Sequence, residues 1–192
     1  MVSTNEFKTG MTIIYEGQIY QVIEFMHVKP GKGNTFVRTT IRNLRTGALL
    51  TDYRFDAGIK VERAVIDKTP MSYLYKDGLN QVFMNMETYE QVEIPISQIE
   101  WESNFIYDGL EVLVNIFNSK NGTEILGITL PDKVTLEIVD TISGVKGDNT
   151  KTNSLKDSIT NTGLLVKVPM FIENGEKIIV STYDGSYVSR DK

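Results

Sequence analysis

The sequence predicts an all-β chain built as three small β-barrel domains. Two observations carry that prediction: short runs of residues alternate apolar and polar with period two, and Gly, Asn and Asp turn signals separate them. A third sets the divisions. Charge switches sign near Ala64 to Asp67, and a Leu130-Pro131-Asp132 break follows later, giving segments 1–65, 66–129 and 130–192. With 192 residues and 41% hydrophobic content the chain has enough apolar material for real cores.

In the first segment Ile13, Tyr15, Tyr20, Val22, Glu24, Met26 and Val28 interleave with Ile19, Gln21, Ile23 and Phe25, a strand pattern apolar on both faces. Glu16-Gly17-Gln18 is the expected hairpin turn within it. Further on, Val37, Thr39 and Ile41 are expected to face the core, which groups Arg38, Thr40 and Arg42 on the opposite face. Thr46-Gly47 turns the chain, and strands over 49–55 and 60–66 complete a barrel of SH3 size.

The second segment offers strands over 72–75, 81–84, 90–94, 111–117 and 124–129. Ser97 and Glu100 have capping-box spacing after Pro95, which predicts a short helix with Ile99 and Ile106 on one face, ending before Asp108-Gly109. A helix inserted before the last pair of strands is the OB-fold layout. Trp101 is expected to serve a core or inter-domain role rather than to stack a base. The third segment offers strands over 134–141, 163–171 and 177–182, with Asn174-Gly175 as a hairpin turn and 148–161 as a long polar loop. It too fits an OB barrel.

The net charge of −5 hides an uneven distribution. Residues 1–64 hold 9 Lys and Arg against 6 Asp and Glu, and residues 65–128 hold 3 against 10. No acidic residue stands between Phe25 and Thr51, where Lys29, Lys32, Arg38, Arg42 and Arg45 all fall. Such a chain suits a partner that is anionic at one place only. Cysteine is absent and His27 is the only histidine, so disulfides, thiolate zinc sites, histidine metal sites and a Ser-His-Asp triad are not expected, nor is any cofactor. Gly31-Lys32-Gly33 is not a Walker loop, because the earlier glycine and the following helix are missing. An enzyme is not expected. No apolar run reaches the roughly 18 residues of a membrane span, and the first residues lack signal-peptide character, so a cytoplasmic protein is expected.

One stretch stands apart. His27 to Phe36 reads HVKPGKGNTF, a lysine raised on a Pro-Gly-Lys-Gly turn between two strands. Pro30 pre-sets its φ, Gly31 is expected to take the positive φ of the turn, and Gly33 lets the backbone leave the apex. Lys32, flanked by glycines, has no neighbouring side chain to fold against. Taken alone this is an ordinary hairpin tip; an anion-binding role for Arg38 and Arg42 rests on their nearness to it.

The chain resembles bacterial elongation factor P over essentially its full length. The resemblance rests on Lys29-Pro30-Gly31-Lys32-Gly33 with Phe36-Val37-Arg38, on Tyr73-Leu74-Tyr75-Lys76-Asp77-Gly78 with Phe83-Met84, and on Gly147-Asp148, Val168-Pro169-Met170-Phe171 and Tyr187-Val188-Ser189-Arg190. It implies a KOW or SH3-like barrel followed by two OB barrels in an L-shaped, tRNA-like arrangement. It also implies a non-catalytic, monomeric translation factor that binds both ribosomal subunits between the peptidyl and exit tRNA sites and relieves stalling at consecutive prolines. Its partners would be peptidyl-tRNA and ribosomal RNA.

By the same resemblance Lys32 is the reaching residue and a modification site for a lysine-modifying enzyme, with Pro30, Gly31 and Gly33 shaping its loop. Lys29, Arg38 and Arg42 would hold RNA phosphate, Gly147 and Asp148 would lie near the exit-site codon, and Tyr187 and Arg190 would form a carboxy-terminal RNA contact. The sequence departs from the family pattern at Thr35, where alanine is common, at Lys156-Asp157-Ser158-Ile159, which replaces Lys-Pro-Ala-Thr, and at Tyr183, where arginine is usual. The loop after Asp148 also seats one more residue. Two alternatives stay open: a paralogous elongation-factor-P-like protein with another stalling target, and a free single-stranded nucleic-acid binder working through its OB barrels.

Overall fold

Glu16 and Gly17 both adopt positive φ, 49° and 75°, between the paired residues Tyr15 and Gln18. Two residues at positive φ make the hairpin turn whose twist matches that of the strands it joins. The turn connects β2 (Thr12–Tyr15) to β3 (Gln18–Val28), as the turn signal predicts. The computed structural model describes residues 1–141 and 155–191. Its first sheet adds β1 (Val2–Ser3), β4 (Phe36–Asn43), β5 (Leu49–Asp56) and β6 (Lys60–Arg63), in the order β1-β6-β2-β3-β4-β5. Along β4 the burial alternates as expected: Val37, Thr39 and Ile41 are buried, while Arg38 and Arg42 are exposed.

The two apolar faces of β3 have separate explanations. Val22 joins Phe7, Ile13, Val37, Ile41, Phe55 and Val61 in the barrel core. Ile19, on the other face, packs with Ala64 and Phe117, and Ile14, Leu44, Ile66 and Leu126 close around them. A bulge between Val22 and Glu24 then shifts the register, and Phe25 and Met26 beyond it are exposed. The capping box sits at the amino terminus, where Ser3 Oγ accepts from Asn5 N and Glu6 Oε2 accepts from Ser3 N at 2.9 Å. The box expected at Ser97 and Glu100 does not form. Instead two short 3-10 turns, Ile96–Gln98 and Glu102–Phe105, occupy the place of the predicted helix, the first capped by Pro95 without a side-chain bond. Ile99 and Ile106 are nonetheless both buried.

The second sheet contains β7 (Ile66–Asp77), β8 (Asn80–Met84), β9 (Gln91–Pro95), β10 (Glu111–Ser119) and β11 (Gly122–Thr129), in the order β11-β10-β7-β8-β9. The third contains β12 (Lys133–Thr141), β13 (Leu155–Thr160), β14 (Leu165–Pro169), β15 (Lys177–Ser181) and β16 (Tyr187–Arg190), in the order β14-β13-β12-β15-β16. Its core is formed by residues such as Leu136, Ile138, Val166, Val168, Ile178 and Val180.

Two expectations for this region change. Residues 155–160, read as part of a polar loop, form β13 and pair with β12 and β14. Gly175 does turn the chain at φ 85°, but the turn joins β14 to β15, which pair with β13 and β12 respectively and not with each other. The run 142–154 lies outside the described residues.

By their internal contacts the residues form two compact units. The first holds Met1–Lys68 together with Asn115–Leu126, and the second holds Thr69–Val114 with Gly127–Lys192. Within the second unit Trp101 Nε1 donates to the Thr182 carbonyl at 2.9 Å, its ring meets Phe105 edge-on at 5.2 Å, and Thr162 Oγ1 donates to the Asn104 carbonyl at 2.6 Å. Trp101 thus ties the turn that follows β9 to the β15–β16 turn within this one unit. No helix among the described residues is long and apolar enough to cross a membrane.

Candidate functional site

The long β3–β4 ladder sets the base of the Lys32 loop. Val28 pairs with Phe36, so 29–35 form the connection, and the Ala57 amide donates to the Thr35 carbonyl at 3.1 Å and ties its root to the end of β5. Lys29, Gly31, Lys32, Gly33 and Asn34 are exposed, while Pro30 and Thr35 are half-buried. The backbone turns at Gly33, with φ 108°, and not at Gly31, which does not adopt a positive φ. A side chain at Gly33 would start 3.8 Å from Pro30 Cγ, so proline and glycine close on one another across the apex. The lysine between Gly31 and Gly33 therefore stands on a backbone bend supplied by the second glycine.

Below the loop the outer face of β4 carries Phe36, Arg38, Thr40 and Arg42. Arg38 and Arg42, four residues apart, are separated by about 13 Å along the strand. Arg38 Nε lies 3.5 Å from Asp52 Oδ1. Arg42 pairs in register with Gln21 on one side and Leu49 on the other. Lys29, Lys32, Arg38 and Arg42 thus belong to one unit and to one hairpin.

The carboxy-terminal candidates belong to the second unit. Tyr187 is half-buried on β16, and Arg190 Nη2 lies 2.7 Å from Glu176 Oε1, so its charge already has a carboxylate partner. Gly147 and Asp148 lie outside the described residues. Among the described residues no group of three His, Cys, Asp or Glu side chains converges as a metal-binding cluster.

Sequence reasoning passed over Arg54 and Asp52 of the first unit, and counted Arg45 among its basic residues without a partner for it. Arg54 lies with its guanidinium carbon 5.0 Å from the centre of the Phe36 ring. Asp52, at φ 56°, faces Arg38. Arg45 holds Glu124, 79 residues away, through two hydrogen bonds. The signal for Arg54 was present in the alternation Tyr53-Arg54-Phe55, which turns the arginine outward when Phe55 is buried. The other two depend on register and on long-range contact.

Comparison with known proteins covers the whole chain. Residues 3–61 match the family description "Elongation factor P (EF-P) KOW-like domain", residues 66–121 "Elongation factor P (EF-P) OB domain", and residues 134–190 "Elongation factor P, C-terminal". Elongation factor P of Phytoplasma australiense is 53% identical over 191 residues, covering 100% of this chain and 98% of its own length. Elongation factor P of Moorella thermoacetica is 44% identical over 190 residues, covering 99% of this chain and 100% of its own. Among solved structures, eukaryotic translation initiation factor 5A from Methanococcus jannaschii is 22% identical, with a TM-score of 0.49, covering 67% of this chain and 92% of its own. Three family matches in sequence order and full-length relatives at this identity place the chain in the elongation factor P family of translation elongation factors.

Proposed function

We propose that this elongation factor binds the ribosome between the peptidyl and exit tRNA sites and relieves stalling at consecutive prolines, with Lys32 as its working end. Three domains, 1–65, 66–129 and 130–192, carry it, and the ribosome, peptidyl-tRNA and ribosomal RNA are its partners in the cytoplasm. The observation that carries the reading is Lys32 itself: an exposed lysine flanked by glycines, on a loop fixed at its root by the Val28–Phe36 pairing and the Thr35–Ala57 bond, above a face bearing Arg38 and Arg42. A cation presented in this way is free to meet a polyanion, where counterion release favours binding, and is aimed by the strand ladder beneath it.

Proline is a conformationally restricted reactant, so holding the acceptor end of the peptidyl-tRNA in a reactive pose removes an entropic part of the barrier to peptide-bond formation. The ribosome supplies the chemistry and this protein supplies position. Lys29, Arg38 and Arg42 contact phosphate and fix register, Gly147 and Asp148 lie near the exit-site codon, and Tyr187 and Arg190 form a carboxy-terminal RNA contact. Lys32 is the residue on which a lysine-modifying enzyme would act to lengthen its reach, and the intact mass of the purified protein, followed by fragmentation of the Lys32 peptide, reads that modification directly.

The deciding experiment is a reconstituted translation assay on a Pro-Pro-Pro reporter. Lys32→Ala is expected to keep the fold and lose the rescue; full activity of that variant sinks the proposal.

A further inference from the structure

Two arginines face one another across β4 and β5. Arg38 pairs in register with Arg54, and Met26 of β3 continues the same row on the other side of Arg38. Directly opposed residues on neighbouring strands project from the same face, and like charges placed so repel one another. The repulsion is offset locally in two ways. Arg54 is drawn diagonally onto the Phe36 ring, 5.0 Å from its centre, and Arg38 is met by Asp52 at 3.5 Å.

Asp52 reaches Arg38 because of an irregularity in the ladder. Thr39 pairs with Tyr53 and Ile41 with Leu50, so Thr51 and Asp52 together oppose Thr40 alone. This is a β-bulge, a device that re-aims a side chain, and it leaves Asp52 in the left-handed region at φ 56°, which aspartate tolerates better than most residues. The resulting ion pair is weak by its geometry. It is made through one guanidinium nitrogen, and the side chains are 44% and 77% exposed. A pair of that kind is readily exchanged for a better anion.

The geometry points to an RNA-backbone site on the outer face of β3–β4–β5, formed by Arg38, Arg54 and Phe36, in which the Asp52 carboxylate is a placeholder that a phosphate group of RNA displaces. Arg38 is freed by that exchange to take the phosphate in a bidentate grip, and Arg54, steadied on Phe36, meets the same phosphate or the next one along. Asp52 keeps the two arginines compatible while the site is empty and lowers affinity for anions that cannot compete with it. The inference rests on the ribosomal reading above for the source of the RNA, and it adds Phe36, Arg54, Asp52 and an exchange step that Lys32 does not require.

The test uses the full-length protein and two probes: ribosomes carrying a tRNA in the peptidyl site, and a naked hairpin RNA with an unpaired end. Binding is measured across a series of salt concentrations for the wild type, Arg54→Ala, Asp52→Asn, Arg38→Ala and the double variant Arg38→Ala with Asp52→Asn. Asparagine also tolerates the left-handed backbone, so Asp52→Asn keeps the bulge, and thermal unfolding verifies that each variant is folded.

Arg54→Ala is expected to bind about three- to tenfold more weakly and to lower the magnitude of the salt slope by about 0.7 to 0.9, the loss of one phosphate contact. Asp52→Asn is expected to bind about threefold more tightly at low salt, and that gain is expected to disappear in the Arg38→Ala background. Unchanged binding of Arg54→Ala and Asp52→Asn to both probes overturns the inference. A gain from Asp52→Asn that persists without Arg38 also overturns it, because general charge, and not exchange at Arg38, then explains the effect. Changes seen with the naked hairpin while no form of the protein binds ribosomes support the RNA site and overturn the ribosomal reading instead.

Discussion

Arg45 holds the Glu124 carboxylate with two nitrogens, Nε to Oε1 at 2.6 Å and Nη2 to Oε2 at 2.9 Å, and spends a third, Nη1, on the Gly17 carbonyl at 2.8 Å. The strand end that presents it is fixed as well, since Asn43 Oδ1 accepts from the amides of Arg45 and Thr46. One guanidinium thereby joins the β2–β3 turn to β11, beside the cluster of Ile19, Ala64 and Phe117. Glu124→Ala is expected to cost about 1 kcal/mol, a value already reduced for the partial exposure of both partners. Arg45→Ala is expected to cost more, because the Gly17 bond goes too. Urea unfolding measures both, and wild-type stability in the two variants would contradict the role given to this pair.

The same pair leaves an acid signature. The hydrogen bond from Arg45 holds the Glu124 carboxyl below its usual value of 4.5, with their charge attraction adding to it and partial burial opposing it. A carboxyl depressed in the folded state contributes stability that is complete above the unfolded value and is lost as pH falls through the lower folded one. The melting temperature of the wild type is therefore expected to decline below about pH 4.5 more steeply than that of Glu124→Gln. Parallel declines would show that Glu124 is not a source of the acid sensitivity.

The two glycines of the Lys32 loop are expected to behave differently. Gly33 has φ 108°, a conformation that side-chain-bearing residues rarely adopt, whereas Gly31 has no positive φ and open space around it. Gly33→Ala should move the apex and reduce rescue of the Pro-Pro-Pro reporter severalfold, while Gly31→Ala retains most of it. Thermal unfolding should register a small loss for Gly33→Ala, from strain at its positive φ, and none for Gly31→Ala. Equal reporter activity in the two variants would contradict the assignment of the bend to Gly33.

Gly185 lies against the Trp101 side chain. A Cβ at that position would lie 3.4 Å from Trp101 Cη2, and the backbone there has φ 73°. Gly185→Val is expected to destabilise the protein by about 1–3 kcal/mol through strain and crowding. Trp101→Phe removes the hydrogen bond to the Thr182 carbonyl and is expected to cost about 1 kcal/mol. Chemical denaturation followed by circular dichroism reads both, and a Gly185→Val variant as stable as the wild type would show that the contact can be given up without loss.

The strands of the first barrel were legible because their inward residues are apolar: Val37 and Ile41 alternate with Arg38 and Arg42, and no tertiary knowledge is needed to orient them. The strand at 155–160 was not legible because two of its inward residues, Ser158 and Thr160, are polar yet buried at 0% and 1% exposure. There the hydrogen-bonded ladder and local bonds, such as Leu164 N to Thr160 Oγ1, replace hydrophobic alternation as the organising force. Ser97 and Glu100 had the spacing of a cap without its geometry, since Pro95 already starts a turn too short to need one. At the candidate site Lys32, Pro30 and the basic face could be read from local residues. The bend at Gly33, the bulge that aims Asp52 and the partner of Arg45 depend on register and long-range contact, which local pattern does not encode.

The first compact unit draws on two stretches of chain, and the second of them ends at Leu126. Its first stretch is finished at Lys68, long before Phe117 exists to cover Ile19. A ribosome producing the chain at about 5–20 residues per second therefore leaves Ile19, Ala64 and their neighbours open to water for some seconds before the β10–β11 hairpin can emerge. During that interval the nascent amino-terminal barrel has a bare apolar side, a natural point for chaperone engagement and for misassembly. Production of this factor should accordingly be more sensitive to changes that slow translation between residues 69 and 126 than to the same changes after Leu126.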